Sequence, residues 1–196
     1  MAGKTTVDTW KKKKSFQLIA PKAFDELSLG TTVAEKPDSL IGRTVFASLG
    51  NLTREIKKSH IMLVFGISRV EGLNAFTDLK GFEVGPGYLR RLVRRRISKI
   101  ETNQAIQLKD GVKARIKVIA VTIKKAHKGQ ETAIRKLIEE EITLAAKQKT
   151  FNELINEALS GNLPMKIFSK AKKIMPLKRL EVIKASLLRE KVIGKA

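Results

Sequence analysis

Five arginines fall within seven positions, Arg90, Arg91, Arg94, Arg95 and Arg96 in the run RRLVRRR, and they are the densest chemistry in this chain. A guanidinium is planar and always charged. Its fork of donors grips a phosphate through two parallel hydrogen bonds, and its flat face stacks on bases. Leu89, Leu92, Val93 and Ile97 fall between the arginines at helical spacing, which predicts a helix over about residues 87–98. On that helix Arg90 and Arg94 lie four apart, as do Arg91 and Arg95, and Lys99 extends the patch. Stacked like charges cost an isolated helix about 0.2–0.5 kcal/mol per pair. So many of them point to a bound anion rather than to a solvated face.

Two further basic groups lie along the chain. Lys113, Arg115 and Lys117 alternate with Ala114, Ile116 and Val118, which predicts a strand with one cationic and one apolar face. Lys124, Lys125, His127 and Lys128 follow it and lead into Gly129 at a helix start, where free backbone N–H groups favour phosphate. Near the N-terminus Lys11, Lys12, Lys13 and Lys14 sit beside the only tryptophan, Trp10. Such a run stays extended until an anion orders it. A last cluster, Lys166, Lys170, Lys172, Lys173, Lys178 and Arg179, is lysine-rich and reads as a solvated face.

Composition sets the scale. Forty Lys and Arg against 19 Asp and Glu leave a net charge of +21, which repels itself in the folded state unless counter-charge is near. A polyanion supplies that charge and releases its own counterions, so binding is salt-dependent. An anionic membrane would call for an amphipathic anchor or a lipid signal, and neither is present in the sequence. Aromatic residues make up 5% of the chain, too few for a protein that stacks successive unpaired bases. The expectation is binding to the backbone and shape of structured RNA.

Catalytic readings find little support. There is no cysteine, which removes disulfides, thiol catalysis and thiolate metal sites. The two histidines, His60 and His127, lie on different elements, too few for a zinc site. Asp8, Asp25, Asp38, Asp78 and Asp110 are scattered, and Glu139, Glu140 and Glu141 are consecutive, so they point different ways round a helix. A two-metal nuclease needs clustered carboxylates, and no glycine-rich phosphate loop occurs. The expectation is a protein without enzymatic activity, metal or cofactor. No apolar stretch is long enough for a membrane span, and no secretory leader is seen, so an intracellular, soluble, cytoplasmic protein is expected.

These groups need elements to hold them. Residues 1–15 read as a basic arm and 191–196 as a short tail, flanking a single domain over 16–190. Pro21, Gly30, Pro37 and Gly42 make 16–42 read as irregular. Period-two patterns predict strands around 44–49, 60–70 (broken by Glu71-Gly72) and 74–84, then 102–108 and 112–123 joined at Lys109-Asp110-Gly111, a hairpin signal. Helices follow: one with Ile134, Leu137, Ile138, Ile142 and Ala145 along one face, one opened by the capping pair Thr150 and Glu153 and closed by Gly161, and one begun near Pro164 and stopped by Pro176. A strand over 179–188 ends the chain. The order βββαββαααβ predicts an α+β fold, a mostly antiparallel, barrel-like sheet with packed helices.

The segments IGRTVFASLGNLT, KKSHIMLVFGISRVEG, YLRRLVRRRISKIE, KDGVKARIKVIAVTIKKAHKGQETAIRK and IFSKAKKIMPLKRLEV occur in an order that resembles one family. It is the archaeal and eukaryotic small-subunit ribosomal protein S-one-e, or S-three-a-e, family, and the length of the chain is similar to the archaeal form. The resemblance covers about residues 10–188. It implies a structural constituent of the small ribosomal subunit that binds rRNA on the platform, near the rRNA 3′ end and the mRNA exit. It also implies neighbouring ribosomal proteins, mRNA nearby at the exit, and a barrel-like β domain with helices. The competing readings are a non-ribosomal assembly or nucleoid factor and an RNA-processing enzyme.

Overall fold

The alternation of Lys113, Arg115 and Lys117 with Ala114, Ile116 and Val118 forms a strand at the centre of the fold's larger unit. The computed structural model describes residues 9–188, the side chains of Thr9 and Lys11 excepted. Residues 1–8 of the basic arm and the whole 191–196 tail therefore lie outside the described residues. In chain order the elements are β1 (Lys14–Ile19), β2 (Ser28–Ala34), β3 (Thr44–Ser48), α1 (Leu49–Thr53), β4 (Ile61–Glu71), β5 (Asn74–Val84), α2 (Pro86–Leu92), β6 (Lys99–Gln107), β7 (Lys113–Thr122), α3 (Lys128–Gln148), α4 (Phe151–Ser160), α5 (Asn162–Ala171) and β8 (Leu177–Leu187). The strands pair in the order β2-β1-β5-β8-β7-β6, with β4 also on β5 and β3 on β4, an open rather than closed sheet. The α+β class is as the sequence predicts.

Packing divides the chain into two units. One takes the residues up to Ser59 with Leu63–Lys80, the other His60–Met62 with Gly81 onward. In the first, β1 runs antiparallel to β2 and, through Gln17, Leu18 and Ile19, parallel to Asn74, Ala75 and Phe76 of β5. These strands correct the reading of 16–42 as irregular. Phe16, Leu18 and Ala20 do alternate inward, and they bury against Ala34, Leu40, Ile67 and Ala75. The Thr77 hydroxyl closes the crossing by donating to the Ile19 carbonyl at 2.9 Å.

In the second unit Gly81, Phe82 and Glu83 of β5 pair with Ser186, Ala185 and Lys184 of β8. β8 pairs antiparallel with β7, and β7 with β6. The β6–β7 turn is the predicted one: Gly111 sits at φ 75°, where a side chain would be strained, and its N–H donates to the Leu108 carbonyl at 2.9 Å. Ile134, Ile138 and Ile142 of α3 are fully or almost fully buried, as are Ile100, Ile116 and Val118 of the sheet. That face is buried, and α3 and α5 cover it at β6 and β8. Glu153 accepts the Thr150 N–H at 3.0 Å, which holds its carboxyl below the usual carboxylate range, and Gly161 at φ 85° ends α4. Helix α5 ends at Ala171, before Pro176 is reached.

Candidate nucleic-acid interface

The face of β7 turned away from α3 carries Lys113, Arg115 and Lys117, all exposed. Register places Lys117 between Asn103 of β6 and Lys184 of β8, Arg115 between Ala105 and Ser186, and Lys113 opposite Gln107. Acids beside them are already matched. Glu83 accepts from Lys184 at 2.8 Å and Glu101 from Lys99 at 2.7 Å. Among the described residues, no side-chain hydrogen bond or ion pair engages Lys113, Arg115, Lys117, Asn103 or Gln107. The positive field of this face is therefore not spent internally.

The arginine segment differs from its prediction. Helix α2 stops at Leu92; Val93 is extended (φ −90°, ψ 127°) and Arg96 has φ 67°. Arg90 and Arg91 occupy the last helical turn, while Arg94, Arg95 and Arg96 lie on the turn that leads to Lys99. The stacked arginine rows do not form. Two causes act together. Cations gather at the negative end of a helix, and ending it there spares their stacking repulsion. The apolar spacing serves a turn as well as a helix: Leu89, Leu92, Val93 and Ile97 all pack on Val84, Ile119, Val121 and Ile183. Ile119 and Val121 continue the β7 face that bears Lys113, Arg115 and Lys117. Arginine turn and cationic strand thus share one side of the sheet, and all five arginines are exposed.

Two polar links fasten the segment. The Tyr88 ring stacks on His60 (centroids 4.0 Å, 19° between planes), and its hydroxyl donates to Glu181 at 2.8 Å. Burial first, then that bond, pushes the phenol up to about 12, so it stays a donor. Glu181 also accepts from Arg179 at 2.6 Å, which removes Arg179 from the free cations. The second link is Thr122, wholly buried. Its hydroxyl oxygen accepts the Ser98 N–H at 2.8 Å and donates to the Lys124 carbonyl at 2.6 Å, while the Ser98 hydroxyl oxygen accepts the Ala126 N–H at 3.0 Å. The end of the arginine turn is thereby tied to the segment with Lys124, Lys125 and Lys128, all exposed. Thr122→Val keeps the shape but orphans the buried Ser98 N–H and frees the Lys124 carbonyl. It should cost about 1–3 kcal/mol in urea unfolding and speed amide exchange at Ala126; unchanged stability would show that the link carries no weight.

Other candidates are placed less tightly. Lys12, Lys13 and Lys14 are exposed in the first unit, with the Lys13 ammonium 4.4 Å from the Trp10 ring centre; the Lys11 side chain lies outside the described residues. At the start of α3 the His127 N–H is taken by Gln130 at 3.2 Å. In the lysine cluster Lys170 is paired with Glu141 at 2.5 Å. Among the described residues, no group of three or more His, Cys, Asp or Glu could hold a metal. No helix there is long and apolar enough to cross a membrane. Asn103, Gln107, Lys184 and Ser186, which the sequence does not single out, stand beside the β7 cations in the ladder; the polar Thr102 and Gln104 on the inward side of ETNQAIQ blur the alternation that would mark Asn103 and Gln107.

Residues 1–191 match the profile of the Ribosomal S3Ae family. A protein of Methanothermobacter thermautotrophicus named small ribosomal subunit protein eS1 is 38% identical over 93% of this chain and 94% of its own. The protein of the same name in Sulfurisphaera tokodaii is 40% identical over 96% of this chain and 98% of its own.

Proposed function

Because this chain belongs to the Ribosomal S3Ae family, we propose that it is a structural constituent of the small ribosomal subunit, not an enzyme, and that it holds rRNA on the basic side of its β6–β7–β8 sheet. The observation that carries the RNA contact is the set of unpaired cations on one side. Lys113, Arg115 and Lys117 stand on the strand, with Arg90, Arg91, Arg94, Arg95 and Arg96 on the segment packed over its continuation. Lys124, Lys125 and Lys128 extend it through the Thr122 link. Lys99, bound to Glu101, contributes once that pair opens. Lys11, Lys12, Lys13 and Lys14 of the arm add phosphate contacts. The position we propose is the cytoplasmic subunit's platform near the rRNA 3′ end and mRNA exit, beside other ribosomal proteins and within reach of mRNA.

Purified protein mixed with small subunits should co-sediment at low salt. If six or more phosphates are contacted, affinity should fall on the order of 1,000-fold between about 50 and 200 mM salt. A protein that stays off the subunit at low salt would overturn the proposal. Stoichiometric retention in washed, mature subunits distinguishes a constituent from an assembly or processing factor.

A further inference from the structure

The uncovered part of the β6–β7–β8 face, with the end of β5, is built in rows. Glu83, Lys184, Lys117 and Asn103 form one, Gly81, Ser186, Arg115 and Ala105 the next, and Lys113 with Gln107 the last. Strands about 4.8 Å apart, with same-face residues about 6.8 Å apart along each, make this a broad shallow surface. Three properties stand out. Arg115 rises between two small neighbours, Ala105 and Ser186, with Gly81 beyond Ser186. Two amides, Asn103 and Gln107, have no partner among the described residues and lie next to unpaired cations. No aromatic side chain lies in any of these rows.

Unpaired bases need aromatic planes to stack on, and this face offers none. The major groove of B-form DNA admits a helix or a narrow ribbon, and its minor groove is about 6 Å wide, so a multi-strand face seats on DNA only after the duplex is bent and its groove widened. A-form RNA differs. Its minor groove is wide and shallow and is lined with 2′-hydroxyls. A hydroxyl both donates and accepts, and so does an amide.

We infer that this sheet face seats the minor groove of an A-form RNA duplex, with Asn103 and Gln107 on 2′-hydroxyls and Lys113, Arg115 and Lys117 on the flanking phosphates. The inference rests on the rRNA-binding reading above and adds the form of RNA bound and the groups that tell it from DNA.

The test is fluorescence anisotropy on the full chain with an RNA duplex of about 16 base pairs, the DNA duplex of the same sequence, and one unpaired RNA strand. The wild type should bind the RNA duplex at least about tenfold more tightly than either competitor at equal salt. Asn103→Ala with Gln107→Ala should lose about tenfold on the RNA duplex and nothing on the DNA duplex, with an unchanged circular dichroism spectrum. Equal binding to RNA and DNA duplexes, tighter binding to the unpaired strand, or a variant that weakens both duplexes alike would overturn the inference. Co-sedimentation with small subunits is scored separately. A protein that joins the subunit yet fails to discriminate sinks only this inference. One that discriminates but stays off the subunit sinks the ribosomal assignment and leaves this inference standing.

Discussion

Arg115→Glu combined with Lys117→Glu is expected to release the protein from the small subunit while the chain stays folded. Both side chains are exposed and, among the described residues, make no side-chain hydrogen bond or ion pair, so the fold loses no polar link when they change. At 117 the substitution even gains a neighbour, since register puts Lys184 directly across the ladder. The bound state fares differently. Two charge-assisted bonds to phosphate are lost, and two carboxylates are pressed against the polyanion. Charge-assisted bonds contribute about 1.5–3 kcal/mol each, so the pair should cost at least about 3 kcal/mol, or more than a hundredfold in affinity. Sedimentation with small subunits at fixed salt reads the loss, and a thermal melt reads the fold. Lys172→Glu with Lys173→Glu makes the same change in net charge on the lysine-rich cluster and should leave most of the binding intact. If that pair is as damaging, net charge rather than this face governs binding, and the assignment of the site is wrong.

The parts of the site that local pattern dictates were legible. The β6–β7 hairpin follows from strict alternation around a turn whose glycine carries the positive φ, and the cationic face of β7 is the odd half of that alternation. The arginine helix was misjudged because a helical period and a short helix plus turn can both bring Leu89, Leu92, Val93 and Ile97 to one apolar surface. Which one forms depends on where β6 must begin. β1 was hidden because its partners Asn74, Ala75 and Phe76 lie far along the chain, and β2 because only Ala34 of its seven residues is buried, so it shows no apolar alternation. The Thr122–Ser98 link was invisible, since a threonine in an apolar strand announces a buried hydroxyl only once its acceptors are known. Pairing also decided which cations count. Glu83 meets Lys184 across 101 residues, and only the folded ladder shows that Arg115 and Lys117 have no such partner.

The same ladder makes Gly81→Ala the most damaging small substitution expected in the chain. Gly81 is buried on β5 at φ 151°, a backbone conformation that side chains rarely adopt. A Cβ there would fall on the carbonyl oxygen of Ala185 and lie 3.0 Å from Cα of Ser186. Those are backbone atoms of β8. Ala185 pairs with Phe82 on one side and with Ile116 on the other, so relief means shifting a central strand. Strain and overpacking of this kind cost about 1–3 kcal/mol each, so a combined loss of about 3 kcal/mol or more is expected, a large share of a domain's stability. Gly72→Ala is the control. It too has positive φ, at 61°, but no atom lies within 4 Å of its Cβ, so only the backbone strain of about 1–2 kcal/mol applies. Urea unfolding of the two variants separates the terms, and equal losses would show that β8 yields easily. Gly81 shares its row with Ser186 and Arg115, so whatever folded Gly81→Ala protein remains should also bind RNA less tightly.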